Sequence, residues 1–186
     1  MIGFCMTGSF CTHGDALDEL EKLVRKYETV PVMSETAYGT DTRFGLAADT
    51  VAKVEKLCGR RAIHTVRDAE PLGPAVPLEA MIILPCTGNT LAKLAHGITD
   101  TAVTMAAKAH LRCSRPLVIA LCSNDAMSAN FSNIGTLLNR KNVYFLPMKE
   151  DDPEKKPYSL VSDFSYAEAA IEAAKKREQI RPLFRS

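Results

Sequence analysis

The sequence has no apolar run long enough to cross a bilayer. Its longest, such as Met81–Leu84 and Leu117–Leu121, fall far short of the ~20 residues a membrane helix needs. It also lacks an excess of either charge, since 23 Lys and Arg face 22 Asp and Glu, a net charge of +1. A balance this even gives no global field for nucleic acid or an anionic membrane surface, and neither is expected as a partner. The start, Met1–Thr7, lacks the basic residues and cleavage site of an export signal, so a cytoplasmic protein is expected. None of the six cysteines forms a CxxC pair, and no Cys/His spacing suits zinc, so no metal site is expected. Without export, disulfides are not expected either. Most of the cysteines read as small buried side chains, with Cys86 and Cys122 set apart by their place at strand ends. The absence of GxGxxG disfavours a standard dinucleotide site, and the absence of GxxxxGK[ST] argues against a P-loop hydrolase. No histidine has a Ser or Cys partner at diagnostic spacing, so a catalytic triad is unsupported.

What is present is an alternation. The 186 residues, 46% hydrophobic and 24% charged, suit one domain with a sizeable core. Short apolar runs read as strands at Ile2–Met6, Val30–Met33, Ala62–Val66, Ala80–Leu84, Leu117–Leu121 and Val143–Leu146. Helical periodicity marks Ala16–Tyr27, Asp41–Leu57, a segment from about Asn89, Ala102–Leu111, Ala126–Leu138 and Tyr166–Arg177. Arg67–Pro77 and Lys149–Pro157 read as proline-bearing loops. Strands alternating with helices predict an α/β fold, a mostly parallel sheet of about six strands covered on both faces. Such sheets bind ligands at the carboxyl ends of their strands, at a switch in strand order. That rule selects Thr7–Ser9, Ser34, Thr87–Thr90 and Cys122–Asn124, all small and polar.

The most telling of these follows Ile82-Ile83-Leu84-Pro85, where Cys86-Thr87-Gly88-Asn89-Thr90 passes from a strand into a helix. Free N–H groups and the helix dipole make such a junction an anion site, and Thr87, Asn89 and Thr90 add side-chain donors. Gly8 permits close approach of a ligand, and Ser9 can cap a helix or donate to a phosphate. Arg43 and Arg67 are the candidate carboxylate anchors, because a guanidinium matches a planar carboxylate through paired hydrogen bonds. Of the histidines, His13 reads as exposed or as a neighbour of the site. His64 reads as structural, His96 as a partner of its helix C-terminus, and His110 as part of a basic helix end.

Pro85-Cys86-Thr87-Gly88-Asn89-Thr90, continued by Ala92–Asp100, resembles the Pro-Ala-Ser-Ala-Asn-Thr motif of the flavoprotein superfamily, which includes phosphopantothenoylcysteine decarboxylases. The resemblance implies a Rossmann-like three-layer sandwich, bound FMN, and a homo-oligomer, a trimer or a dodecamer of trimers. It assigns Gly8, Ser9, Ser34, Thr87, Asn89 and Thr90 to the phosphate and ribityl chain, and places Ser123, Asn124 and Cys122 near the isoalloxazine. Within the superfamily, Met6–Thr12, Met33–Tyr38, Thr40–Gly45, Ala69–Pro74, Thr104–Arg112, Leu138–Asn142 and Asp151–Pro157 resemble the B subunits of dipicolinate synthases. That likeness implies a dehydrogenase-like A subunit as partner, with NADP on that partner, and a small dicarboxylate substrate. It also implies work in the mother cell of a sporulating bacterium. The chemistry implied is loss of water from a hydroxylated tetrahydropyridine dicarboxylate and oxidation to the aromatic ring, with Asn124 and Cys122 as catalytic candidates. Two departures from the decarboxylase pattern stand out. Glu70–Pro74 lacks a histidine, and Ser128 replaces a tryptophan after Asn124 and Met127. A decarboxylase, a prenyl-transferring flavin enzyme and a non-catalytic stabilising subunit stay open beside the synthase reading.

Overall fold

A computed structural model describes residues 1–185. Seven strands form one sheet: β1 (Ile2–Met6), β2 (Thr29–Met33), β3 (Ala80–Cys86), β4 (Leu117–Ser123), β5 (Val143–Phe145), β6 (Met148–Asp152) and β7 (Lys156–Ser162). The order is β2-β1-β3-β4-β7-β6, with β5 also paired to β4. Pairs among β1–β5 are parallel, whereas β7 runs antiparallel to β4 and β6. The helices are α1 (His13–Leu23), α2 (Glu35–Gly39), α3 (Ala47–Cys58), α4 (Val66–Ala69), α5 (Gly88–His96), α6 (Ala102–Leu111), α7 (Phe131–Leu138) and α8 (Ala167–Lys175).

The side-chain alternation of the strands builds two cores. In β3 and β4, Met81, Ile83, Leu117, Ile119 and Leu121 face α5, α6 and α7, where Leu91, Val103, Ala106 and Ile134 meet them. Their neighbours Ile82, Leu84, Val118, Ala120 and Cys122 face α1, α3 and α8, against Leu17, Leu20, Val54 and Ile171. With both faces covered, β1, β3 and nearly all of β4 are apolar, which is why no polar alternation marks them in sequence. The result is the three-layer Rossmann-like sandwich. Among the described residues no helix is long and apolar enough to cross a membrane.

Several elements depart from the expected ones; α2 was not expected, and the loop expected over Arg67–Pro77 opens inside α4. Ala62–Val66 does not form a strand. Only Ile63 bridges to Val32, because Thr65 at once caps α4, its hydroxyl accepting the Asp68 N–H at 3.1 Å. Lys149–Pro157 is not a loop but the outer part of the β6–β7 hairpin, where solvent tolerates charges and proline; this raises the strand count to seven. The helix expected from Asp41 begins at Ala47. A tight turn with reciprocal Thr42–Gly45 backbone bonds intervenes, Gly45 lying at φ +145°, and the Asp41 carboxylate takes the Ala47 N–H at 2.8 Å. The helix expected from Ala126 begins at Phe131, after an irregular turn.

Candidate functional site

The parallel strands carry Thr7–Ser9, Ser34, Thr87–Thr90 and Ser123–Asn124 to one edge of the sheet. From β1 the chain moves outward to β2 and later returns to β1's other side as β3, so the switch in order lies between β1 and β3. Thr7 bridges that switch. Its N–H and hydroxyl both donate to the Pro85 carbonyl, at 3.2 and 2.8 Å, and its hydroxyl oxygen accepts the Thr87 N–H at 3.0 Å. The loops after β1 and β3 are therefore one hydrogen-bonded unit.

At the start of α5 the Thr87 hydroxyl accepts the Thr90 N–H at 3.2 Å and donates to the Thr90 hydroxyl at 3.1 Å. Leu91 N–H closes the first helical bond to the Thr87 carbonyl at 2.9 Å. The N–H groups of Gly88 and Asn89 have no acceptor among the described residues, and the Asn89 side chain is exposed. Ser34 caps α2 by accepting the Ala37 N–H at 3.2 Å, which leaves its hydroxyl proton to donate elsewhere. Thr12 donates to the Ser9 carbonyl at 2.9 Å, and Ser9 is half-buried. Glu35, the acid beside Ser34, has a carboxylate oxygen on the Ala102 N–H at 3.1 Å, at the start of α6. The edge is thus rich in unspent donors, as a polyhydroxyl and phosphate ligand requires.

The remaining candidates fare differently. Asn124 is exposed and without a hydrogen-bond partner among the described residues. Cys122 is buried on the α1 and α8 face, and burial pushes its thiol up to about 12. A thiol held protonated does not act as a nucleophile or base at neutral pH, which leaves Cys122 to line the site or donate a proton. Arg43 is exposed in the turn before α3 with its guanidinium 4.9 Å from the Phe44 ring centre. Arg67 is exposed on α4. Neither arginine hydrogen-bonds to the donor cluster. His13, read as exposed or as a site neighbour, is a buried neighbour: its Nε2 lies 2.8 Å from the Thr7 carbonyl. Desolvation lowers its pKa, with the Thr7 bond opposing. His110, read as part of a basic helix end, is fully buried.

Sequence reasoning missed a polar network behind Asn124. The Ser123 hydroxyl donates to the Asp125 carboxylate, which also accepts from the Asn130 amide at 2.9 Å; Asn133 donates to the Asn130 oxygen at 2.9 Å. The run of Ser, Asn and Asp across residues 123–133 was the available signal, since such side chains compete with helix for backbone partners.

Comparison with known proteins gives concordant results. The Flavoprotein family model matches residues 1–171. The B subunit of dipicolinate synthase from Bacillus subtilis (strain 168) is 43% identical over 183 residues, covering 98% of this chain and 92% of that protein. The crystal structure of the dipicolinate synthase B subunit from Bacillus halodurans has a TM-score of 0.91 at 38% identity, covering 100% of this chain and 95% of that one. An FMN-dependent cysteine decarboxylase, SpaF, shares the fold at TM-score 0.68 and 24% identity, covering 93% of this chain and 95% of its own.

Proposed function

Because the chain belongs to the Flavoprotein family, we propose that it is the flavin-binding subunit of a dipicolinate-forming synthase, with FMN as its cofactor. The observation that carries this reading is the donor-rich edge at the β1/β3 switch, together with dipicolinate synthase relatives that match nearly the whole chain. FMN supplies a hydride acceptor for a ring that gains aromaticity. Gly8, Ser9, Ser34, Thr87, Asn89, Thr90 and Ser123 would hold the cofactor. Asn124 would orient the reacting ring, and Arg43 and Arg67 would anchor the substrate carboxylates. Cys122 would line the site as a neutral thiol. The protein acts with a dehydrogenase-like A subunit that carries NADP, and assembles as a homo-oligomer, a trimer or dodecamer. The decarboxylase alternative loses support from Glu70–Pro74, which offers no histidine as general acid or base.

The test is a visible absorption spectrum of the purified chain before and after adding FMN, followed by gel filtration. A flavin spectrum that stays with the protein is the expected result. It would justify assaying dipicolinate formation with the A subunit. No retained flavin in the presence of excess FMN would refute the flavin role and leave a stabilising subunit.

A further inference from the structure

The segment between β4 and α7 is organised around one residue. The Asp125 carbonyl accepts the N–H groups of Ser128 and Asn130, both at 3.1 Å, and the Ser128 hydroxyl at 3.2 Å. Its carboxylate accepts from Ser123 and Asn130, while Asn133 on α7 fixes the Asn130 amide from behind. Asn130 and Asn133 are buried, and Asp125 is half-buried. The same cluster presses on the first residue of α5. A Cβ added to Gly88 would lie 2.3 Å from Ser123 Oγ, 2.7 Å from Asn130 Nδ2 and 2.8 Å from Asp125 Oδ1. The loops after β3 and β4 therefore meet through Asp125 and its partners, with no room for a side chain between them.

A turn of this length closes with backbone bonds alone, and ordering extra side chains costs them rotamer freedom. Here five donors converge on one aspartate, and the residue they frame, Asn124, is left exposed and without a partner among the described residues. The network also fixes a hydrogen-bonding role. With its proton committed to Asp125, the Ser123 hydroxyl meets a ligand only as an acceptor, beside the donors of Gly88 and Asn89. The bonds from Ser123 first, and from Asn130, hold the Asp125 carboxyl below its ordinary range, so it is ionised at neutral pH.

We propose that Asp125 is a positioning residue of the cofactor edge: it aims Asn124, sets Ser123 as an acceptor and seats the start of α5 for the flavin. This inference rests on the flavin reading above. The test is FMN titration of the apoprotein by fluorescence quenching, with the visible spectrum of each complex recorded. Asp125→Ala is expected to weaken FMN binding at least tenfold and to shift the visible bands. Asp125→Asn has the same shape, accepts from Asn130 and donates to Ser123; it should restore affinity to within threefold while keeping a band shift, because Ser123 now faces the ligand as a donor. Asp125→Glu keeps the charge but misplaces it. It serves if Asp125→Ala does not fold, with the same tenfold loss expected. Any of the three variants, folded, that binds FMN with native affinity and an unchanged spectrum would overturn the inference while leaving the flavin reading intact. Failure of the unsubstituted chain to bind FMN would overturn the flavin reading itself, and the inference with it.

Discussion

His110 is fully buried near the end of α6, with Nε2 2.9 Å from the Pro116 carbonyl and Nδ1 without a partner among the described residues. Desolvation lowers its pKa to about 4, and nearby Arg115 adds to that. The folded chain therefore refuses a proton that the unfolded chain accepts below about 6.5. Its contribution is neutral above that value and becomes a loss as pH falls toward 4, on the order of 2–3 kcal/mol by pH 4. Urea midpoints at pH 7 and pH 4.5 should fall less for His110→Gln than for the native chain; equal falls would show that His110 does not drive the acid sensitivity. Arg43 yields a second residue-scale prediction. If it anchors a substrate carboxylate, Arg43→Ala should raise KM for the dicarboxylate about tenfold with kcat little changed. An unchanged KM in steady-state assays with the A subunit removes Arg43 from the substrate site.

At the scale of elements, α6 shows how much of the fold is local. Thr101 accepts the Thr104 N–H at 3.2 Å, Thr104 Oγ1 accepts the Thr101 N–H at 3.1 Å, and Glu35 takes the next free donor, Ala102 N–H. Thr101→Ala should cost about 1 kcal/mol, read as a lower urea midpoint; a midpoint within error of the native one would mean Glu35 and solvent suffice. The helix Ala102–Leu111 was legible to the residue from its helical period, whereas the strand-to-helix step near Thr87 was legible only approximately, since β3 runs on to Cys86 and α5 opens at Gly88. The elements misread are those whose local signals are overruled by distant partners. Lys149–Pro157 looks like a loop until β6 pairs with β7, whose Leu160 and Val161 join the sheet beside β4. Ala62–Val66 has strand composition but only one ladder partner. The donor loops of the site were legible as small polar residues after apolar runs. Asp125, Asn130 and Asn133 were not, because their meaning depends on the packing of Asp125 and Asn130 against Gly88, far away in sequence, with Asn133 holding Asn130.

The whole molecule converges on the switch between β1 and β3, where two halves of the chain meet and the proposed cofactor edge begins. One buried hydroxyl, Thr7 Oγ1, serves both sides by donating to Pro85 and accepting from Thr87. Thr7→Val keeps the shape and volume of the side chain but removes both bonds. The Thr87 N–H would lose its acceptor, and the Pro85 carbonyl would keep only the Thr7 N–H. A polar group left unsatisfied in a buried site costs about 1–3 kcal/mol, so the variant should unfold at lower urea than the native protein. Its larger effect should fall on FMN, because Thr87 places the free donors of Gly88 and Asn89. We expect affinity to fall by about tenfold or more, a change worth roughly 1.4 kcal/mol in binding. The two losses are separable by titrating FMN far below the unfolding midpoint, where the variant is folded. If Thr7→Val loses stability yet binds FMN as tightly as the native chain, the Thr7 bridge supports the sheet alone and does not set the cofactor loop.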